Sequence, residues 1–240
     1  VKVVLRPPKE CPLPFCNSKE LFYDGKAFAF TLGNLLGDGH IHKSKNQLQI
    51  DQAVEEYTLW KKREAEKLNL ATAKANVTEV QRLRVDKLSG RETPTTSYRF
   101  YCRTLFKEWR PFFYTEKVPS DPTFGSGQSL YRKCVPEQLP EWFTSPYSLA
   151  IFYLDDGGKL GGSAYFSTGE MPEREVVLLR TAMELNFGLE FAPLIAQRNL
   201  SGSYRAGLLL RRRSLPGFIE LVKPVVDQVP SLSYKLQFSS

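Results

Sequence analysis

The sequence predicts an α+β fold built from two similar, pseudo-symmetric halves, and three observations support this prediction. An apolar stretch of helical character ends in a carboxylate followed by glycine at Leu32–Gly39 and again at Leu149–Gly158. The order helix, strand, helix, strand, helix can be followed once in each half. Each half also closes with a spaced Ser-Leu-x-x-Lys sequence, at residues 129–133 and 231–235. A repeat on this scale indicates a duplicated domain.

The first half follows an irregular segment rich in proline, residues 1–24, which is expected to be an arm. A helix is predicted over Lys26–Leu36, because an apolar run extends to the glycines that stop it. Alternation of polar and apolar residues predicts a strand over Ile41–Ile50. Helical spacing of apolar residues predicts another helix over Gln52–Leu68. Its charged run at residues 61–64 is expected to be a solvated face.

The remaining elements are predicted from the same helical and strand periodicities. Strict alternation predicts strands at Gln81–Val85 and Tyr98–Arg103, joined by a turn that contains glycine and proline. Leu105–Tyr114 is amphipathic but is interrupted by Pro111. The elements predicted for the second half are a helix at Ser148–Asp155, a strand at Ser163–Thr168, a helix at Glu173–Asn186, a strand at Tyr204–Leu210 and a helix at Leu215–Val226.

The composition is that of a globular protein with a polyanionic partner. Hydrophobic residues make up 42% of the 240 residues, which is enough for a sizeable core. The net charge of +7 favours a nucleic acid, because lysine and arginine near phosphates release condensed counterions. The four cysteines lack the spacing of a zinc site. No stretch reaches the roughly 18 apolar residues of a membrane span, so no membrane partner is expected.

Three segments carry a resemblance to a known family. Arg132–Leu139 leads from a lysine to an aliphatic-proline pair, Ser145–Lys159 contains the second apolar-acidic motif, and Tyr234–Leu236 supplies a closing lysine. In these features the chain resembles the LAGLIDADG homing endonucleases of the single-chain, two-motif type. The resemblance implies αββαββα halves at residues 25–140 and 141–240. It also implies two central motif helices and saddle-shaped antiparallel sheets that bind DNA.

The same resemblance assigns the chemistry to four residues. The metal-binding carboxylates of the family correspond to Asp38 and Asp156, and its active-site basic residues correspond to Lys133 and Lys235. All four are expected to be catalytic. Positive side chains beside a phosphate stabilise the negative charge that develops in the transition state of phosphodiester hydrolysis.

The metal site is expected to comprise Asp38 and Asp156 together with the positions before them, Gly37 and Asp155. Asp156 is preferred to Asp155 as the functional acid, because it directly precedes a glycine as Asp38 does. Asp155 is expected to adjust the electrostatic field at the site or to cap nearby structure. Mg²⁺ is the expected metal, since hard cations take oxygen ligands. Mn²⁺ is an alternative, and Ca²⁺ is expected to support binding without cleavage.

One motif position departs from the family pattern. Ile151 stands where the strict motif has glycine, and its counterpart in the first motif is Gly33. A small residue at that position lets two helix backbones approach closely. The larger side chain is therefore expected to disturb the symmetry of helix packing while leaving the acid unchanged.

Specificity is expected to come from the sheets, because a two-stranded ribbon fits the major groove of B-DNA. Arg99 and Tyr101 share one face of their strand, and Phe100 and Cys102 share the other. Phosphates and bases are contacted by the same residue types, so the sequence leaves open which residues contact bases. The candidate DNA-binding residues are Gln47, Gln49, Arg82, Arg84, Arg99, Tyr101, Arg103, Arg198, Arg205 and Arg211.

The resemblance implies a hydrolase that acts as a monomer: a site-specific double-strand DNA endonuclease that promotes intron mobility in a mitochondrion or chloroplast. The alternative is an intron maturase or splicing cofactor of the same fold, which binds its own intron RNA without cleaving DNA. A third interpretation, an unrelated metal phosphatase that uses Asp155 and Asp156, leaves the first motif and the repeat unexplained. The presence of both acids and both lysines favours catalysis.

Overall fold

The computed structural model describes residues 25–85, 92–116, 131–169, 171–192, 197–198, 204–205 and 207–238. The predicted arm at residues 1–24 and residues 129–130 of the first closing sequence lie outside the described residues. Within the described part, helices and antiparallel strands form two halves with the same order of elements. The predicted α+β class is therefore confirmed.

The first half is built around one antiparallel sheet with the strand order β1-β2-β4-β3. Ile50 pairs with Phe100 on the face that packs against the helices, and both side chains are buried. Gln49 pairs with Tyr101 on the opposite face. The elements are α1 (Gly25–Leu36), β1 (His40–Ile41), β2 (Leu48–Gln52), α2 (Glu55–Lys67), β3 (Thr78–Val85), β4 (Glu92–Tyr101) and α3 (Arg110–Phe113).

Two short antiparallel strands and a single helical turn connect the halves. These elements are β5 (Tyr114–Glu116), β6 (Tyr131–Lys133) and α4 (Leu139–Trp142). The boundary predicted between residues 140 and 141 falls inside α4. The carbonyls of Pro140 and Phe143 accept hydrogen bonds from Asn186 at 2.7 and 3.0 Å, so this turn is anchored on a helix of the second half. The division of the chain at this point stays a prediction.

The second half repeats the arrangement with shorter strands. Its elements are α5 (Pro146–Asp156), β7 (Gly157–Leu160), β8 (Ser163–Ser167), α6 (Glu173–Phe187), β9 (Gln197–Arg198), β10 (Tyr204–Arg205), β11 (Gly207–Leu209), α7 (Leu215–Val226) and a 3₁₀ helix at Pro230–Leu236. β11 pairs with β8, and β10 pairs with β9. β10 and β11 together therefore take the place that β4 holds in the first sheet.

The motif helices α1 and α5 pack against each other at the centre. A Cβ placed on Gly33 would lie 2.8 Å from the carbonyl oxygen of Ser148 and 2.9 Å from Cβ of Ile151. Ile151 is fully buried and occupies the space that the missing side chain of Gly33 leaves. A single glycine, Gly33, is therefore enough to let α1 and α5 approach closely. This accounts for the isoleucine at position 151, where the strict motif has glycine.

Neighbouring residues determine where α5 begins and ends. Ser145 caps the first turn, where its Oγ accepts the N–H of Tyr147 at 3.3 Å, and Pro146 stands at the first helical position. At the other end β7 begins at Gly157 without a loop. A Cβ on Gly157 would lie 2.0 Å from the ring of Tyr153, so only glycine fits at this junction.

One prediction about local structure was wrong. The strand predicted over Ile41–Ile50 is a hairpin of β1 and β2, closed by a bond from the His42 N–H to the Gln47 carbonyl at 2.9 Å. Asn46 in its turn has a left-handed φ of 49°. The amphipathic segment at residues 105–114 forms only the four-residue α3, because Pro111 is accommodated in a first turn but not in a helix interior.

Within the described ranges, no helix is long and apolar enough to cross a membrane.

Candidate active site

The two motif helices bring their terminal acids to the centre of the molecule. Asp156 is the last residue of α5, and Asp38 lies just beyond the end of α1. The two carboxylates are close enough to interact, since the charge of Asp38 raises the pKa of Asp156. The structure therefore brings together the two acids that the sequence separates by more than a hundred residues.

Both acids have raised pKa values in the absence of a cation. Desolvation is the largest cause for each, and the charge of Asp155 adds to it. The pKa of Asp156 rises to about 7. Lys133 lowers both pKa values without cancelling the effect. A cluster of carboxylates that resists ionisation by itself is suited to binding a cation, which would relieve the repulsion.

The two predicted lysines occupy equivalent places in the two halves. Lys133 Nζ donates to the carbonyls of Gly37 and Gly39, the latter at 3.1 Å. Lys235 Nζ donates to the carbonyls of Leu154 and Gly157, at 2.7 and 2.8 Å. Each ammonium thus satisfies the free carbonyls at the C-terminal end of its own motif helix, where the helix dipole favours a cation.

The environment of the lysines is partly desolvated. Burial lowers the pKa of Lys133 and of Lys235, and the attraction of the three neighbouring aspartates opposes this effect. Two positive charges are therefore held beside Asp38 and Asp156, where they can stabilise a developing negative charge.

Asp155 has a different environment from its neighbour. Its carboxylate accepts two bonds from Lys61 Nζ, at 2.6 and 2.9 Å, one from the Tyr57 hydroxyl at 2.9 Å and one from Gln52 at 3.3 Å. It also accepts the backbone N–H of Asp38 at 3.1 Å. The side chains of Asp155 and Lys61 have no exposed surface. This saturated arrangement favours a positioning role for Asp155 over direct metal binding.

The position of the Asp155 side chain also explains the glycine at position 37. A Cβ at this position would lie 2.4 Å from Oδ2 of Asp155. The two equivalent motif positions are therefore complementary: one half provides a carboxylate, and the other provides the space for it. Gly37 has no side chain that could bind a metal, and its carbonyl is occupied by Lys133.

The charged run at residues 61–64 was wrongly predicted to be a solvated helix face. Lys61 is fully buried, and Glu64 is 2% exposed. Glu64 accepts bonds from Lys26 at 2.9 Å and from the Tyr147 hydroxyl at 3.0 Å, so it links the beginnings of α1 and α5 to α2. A sequence signal did exist, because Lys61 follows Tyr57 by one helical turn and therefore shares its inward face.

The predicted DNA-binding face is formed by one side of the first sheet. Asp51 pairs with Arg99 across β2 and β4, and its Oδ2 accepts bonds from Arg99 Nε at 2.9 Å and from Arg82 Nη2 at 2.7 Å. Gln49 lies on this face but is only 6% exposed, and Tyr101 is half-buried. Asp51, which was not predicted, therefore neutralises two of the candidate arginines.

The remaining candidates are more scattered. Gln47 precedes β2 in the hairpin turn, and Arg103 is exposed just after β4. Arg211 follows the second sheet and donates from Nε to the Phe191 carbonyl at 3.1 Å. Arg84, Arg198 and Arg205 lie on β3, β9 and β10, and their side chains lie outside the described part of the structure.

Comparison with known proteins identifies the family. A family model of the LAGLIDADG DNA endonucleases matches residues 28–199. The chain belongs to this LAGLIDADG family. A segment of 105 residues, 44% of the chain, is 27% identical to the cytochrome b mRNA maturase bI2 of Debaryomyces hansenii. That segment covers 37% of the maturase, so the chain matches little more than a third of this relative.

A solved LAGLIDADG structure shows the same fold. The homing endonuclease I-WcaI, bound to its DNA recognition sequence, is similar with a TM-score of 0.67 over 92% of this chain and 89% of that chain. Only 20% of the residues are identical, so this likeness supports the fold and not the activity.

Proposed function

We propose that this LAGLIDADG protein is a site-specific endonuclease that hydrolyses both strands of a DNA duplex with a divalent metal. The observation that carries the proposal is the convergence of Asp38 and Asp156 at the ends of the paired helices, each beside a lysine held by its own half. Such a duplicated site provides one acid and one ammonium for each strand of the duplex.

The proposed metal is Mg²⁺, with Mn²⁺ as an alternative. Among the described residues, no group of three or more His, Cys, Asp or Glu side chains forms a metal cage. Two carboxylates with raised pKa values nevertheless fit Mg²⁺, which is commonly bound by one or two carboxylates together with substrate phosphates. When bound, the metal would activate water and stabilise the leaving oxygen. Asp38 and Asp156 would hold it, and Lys133 and Lys235 would offset charge on the phosphate.

DNA recognition is assigned to the two sheets. The net charge of +7 supports a polyanionic partner. A protein that acts as a monomer on a long, asymmetric site would use one sheet for each half of the target. Promotion of intron mobility, in an organelle, belongs to this proposal.

Incubation with DNA that carries the presumptive intron-insertion site tests the proposal. In Mg²⁺ we expect a double-strand cut, and in Ca²⁺ we expect binding without a cut. Intact binding with no cut in Mg²⁺ would reject the endonuclease.

A maturase that binds its own intron RNA is the second candidate, because a cytochrome b mRNA maturase matches part of the chain. It predicts tight binding to the intron RNA and faster splicing in vitro. The retention of Asp38 and Asp156 favours DNA cleavage, since RNA binding alone does not require two acids that repel each other.

Metal binding is expected to depend on pH. Because the pKa of Asp156 is about 7 and that of Asp38 is also raised, the folded chain binds more protons than the unfolded chain between about pH 4 and pH 7. Without metal, stability should therefore fall as pH rises through this window. Mg²⁺ competes with these protons, so the increase in Tm that it causes should be larger at about pH 8 than at about pH 6. Asp156→Asn should weaken this difference, and an equal Mg²⁺ effect at both pH values in the natural chain would contradict the expectation.

Asp51 is expected to restrain non-specific binding. Asp51→Asn frees Arg82 and Arg99, and one additional phosphate contact should raise the affinity for a random duplex about 8-fold at about 0.1 M salt. The slope of log affinity against log salt should steepen by about 0.9. Titration of a labelled duplex measures both quantities. Glu92→Gln, at the start of β4, is the matched change of charge, and an equal effect from it would show that net charge rather than arginine release is responsible.

A further inference from the structure

The two active-site lysines lie on segments with little regular structure of their own. Lys133 is the last residue of the three-residue strand β6, and Lys235 lies in the 3₁₀ helix at Pro230–Leu236. Segments of this kind depend on tertiary contacts for their position. The contacts that hold these two segments therefore affect where the two lysines lie.

The Lys133 segment is held by a glutamate of the second half. Glu175, in the first turn of α6, accepts the N–H of Val135 at 3.1 Å and pairs with Arg132 at 2.7 Å. These two contacts bracket Lys133 from both sides. Glu175 is only 8% exposed, and its bond from the Val135 N–H is buried and therefore shielded from water.

The Lys235 segment is held by a glutamate of the first half. Glu56, in the first turn of α2, accepts the N–H of Ser231 at 2.9 Å, one helical turn before Lys235. Trp60, one turn further along α2, donates from Nε1 to Gln228 at 3.1 Å. The segment that leads to Lys235 is thus fastened to the opposite half at two points.

The two arrangements mirror each other. α2 and α6 have the same place in the order of the two halves, and each provides an acid from its first turn to a backbone N–H of the other half. We infer that Glu175 and Glu56 are positioning residues for Lys133 and Lys235: each glutamate holds, from the opposite half, the backbone segment that carries the lysine, so that docking of the halves fixes where that segment lies. The catalytic meaning of this inference rests on the proposed function, but the positioning does not.

A purely structural role would have a different signature. If the glutamates only stabilised their own helices, their loss would loosen both lysines equally or neither. The positioning role predicts a crossed pattern, in which each glutamate affects the lysine of the opposite half.

Residue-resolved acylation of lysine amines distinguishes these two cases without any need for activity. The chain is treated briefly with an amine-reactive ester, and labelling of Lys133 and Lys235 is followed by mass spectrometry. In Glu175→Ala we expect labelling of Lys133 to rise about fivefold with Lys235 unchanged, which corresponds to about 1 kcal/mol for one lost hydrogen bond. In Glu56→Ala we expect labelling of Lys235 to rise with Lys133 unchanged, and by a smaller factor, because the bond from the Ser231 N–H to Glu56 is exposed to water. Glu173→Ala and Glu55→Ala remove exposed acids from the same helical turns and should change neither lysine.

Equal labelling of both lysines in each variant, or no change in either, would overturn the inference. If Glu175→Ala does not fold, Arg132→Met removes one of the two bracketing contacts and should still expose Lys133 selectively.

Cleavage provides a second, separate readout. Glu175→Ala should slow single-turnover cutting in the natural background but add nothing in a Lys133→Met background, because it acts through that lysine. Additive losses would contradict positioning. A natural chain that fails to cut in Mg²⁺ would reject the endonuclease alone, since the labelling pattern would still decide whether the glutamates position the lysines.

Discussion

Asp156→Asn is expected to reduce double-strand cleavage by about 10³-fold or more, which corresponds to the several kcal/mol that a bound metal contributes to the transition state. Asparagine keeps the shape of the side chain but removes the charge that would hold the cation. It also removes a carboxylate whose pKa is raised by burial and by the charges of Asp38 and Asp155, so the fold should be no less stable. Binding to target DNA in Ca²⁺ should be nearly unchanged. Single-turnover cleavage with Mg²⁺ and a binding titration with Ca²⁺ measure the two effects.

Asp227→Asn is the matched control for this substitution. Asp227 pairs with Lys223 at 2.8 Å on the exposed end of α7, so it loses the same charge without touching the site. It should cleave at the natural rate. Cleavage that survives Asp156→Asn would show that the wrong acid was assigned, and the comparison with Asp155→Asn would then locate the functional one.

Lys61→Met is expected to lower the free energy of unfolding by about 3–5 kcal/mol, the usual cost of leaving one partner of a buried ion pair without its counter-charge. Asp155 and Lys61 are both without exposed surface, so no water can replace the lost ammonium. The bond from the Asp38 N–H to Asp155 should loosen as well, and cleavage should fall together with stability. Urea unfolding at neutral pH measures the free energy.

The neighbouring residue offers a direct control. Lys62 pairs with Glu66 at 2.6 Å, but both side chains retain exposed surface, so Lys62→Met should cost about 0.5 kcal/mol or less. The double variant Lys61→Met with Asp155→Asn should recover part of the loss, since it no longer leaves a buried charge unpaired. Equal costs for Lys61→Met and Lys62→Met would contradict the role assigned to the Asp155–Lys61 pair.

The helices were largely predictable because their signals are local. α7 has the predicted bounds, Leu215–Val226, and its buried residues recur at helical spacing along one face. The short strands were harder to predict. β7 starts directly at the glycine that ends α5, and β1 has only two residues, which is too few for alternation to show. The sequence therefore predicts one continuous strand where β1 and β2 form a hairpin.

The candidate site was predictable in part for a related reason. An acid followed by glycine at the end of an apolar helix can be read from neighbouring residues, and the repeat indicates which of the two adjacent acids, Asp155 or Asp156, corresponds to Asp38. The repeated Ser-Leu-x-x-Lys sequence marks Lys133 and Lys235, and the family resemblance assigned them a catalytic role. The anchoring residues Glu56 and Glu175 carry no such signal, because a first-turn glutamate is common in helices.

The sequence by itself determined the duplicated helix-and-strand order and the two acidic helix ends, because periodicity and the absence of a side chain at glycine are local properties. Only the tertiary structure decided what surrounds those ends. Asp155 meets Lys61 across 94 residues of chain and the Asp38 N–H across 117, and Ile151 fills the space at Gly33. Burial makes Lys61 the counter-charge of Asp155 beside the candidate active site, although its helix has the composition of a solvated one. Which side chains become buried depends on which surfaces meet, and the order of residues alone does not give this.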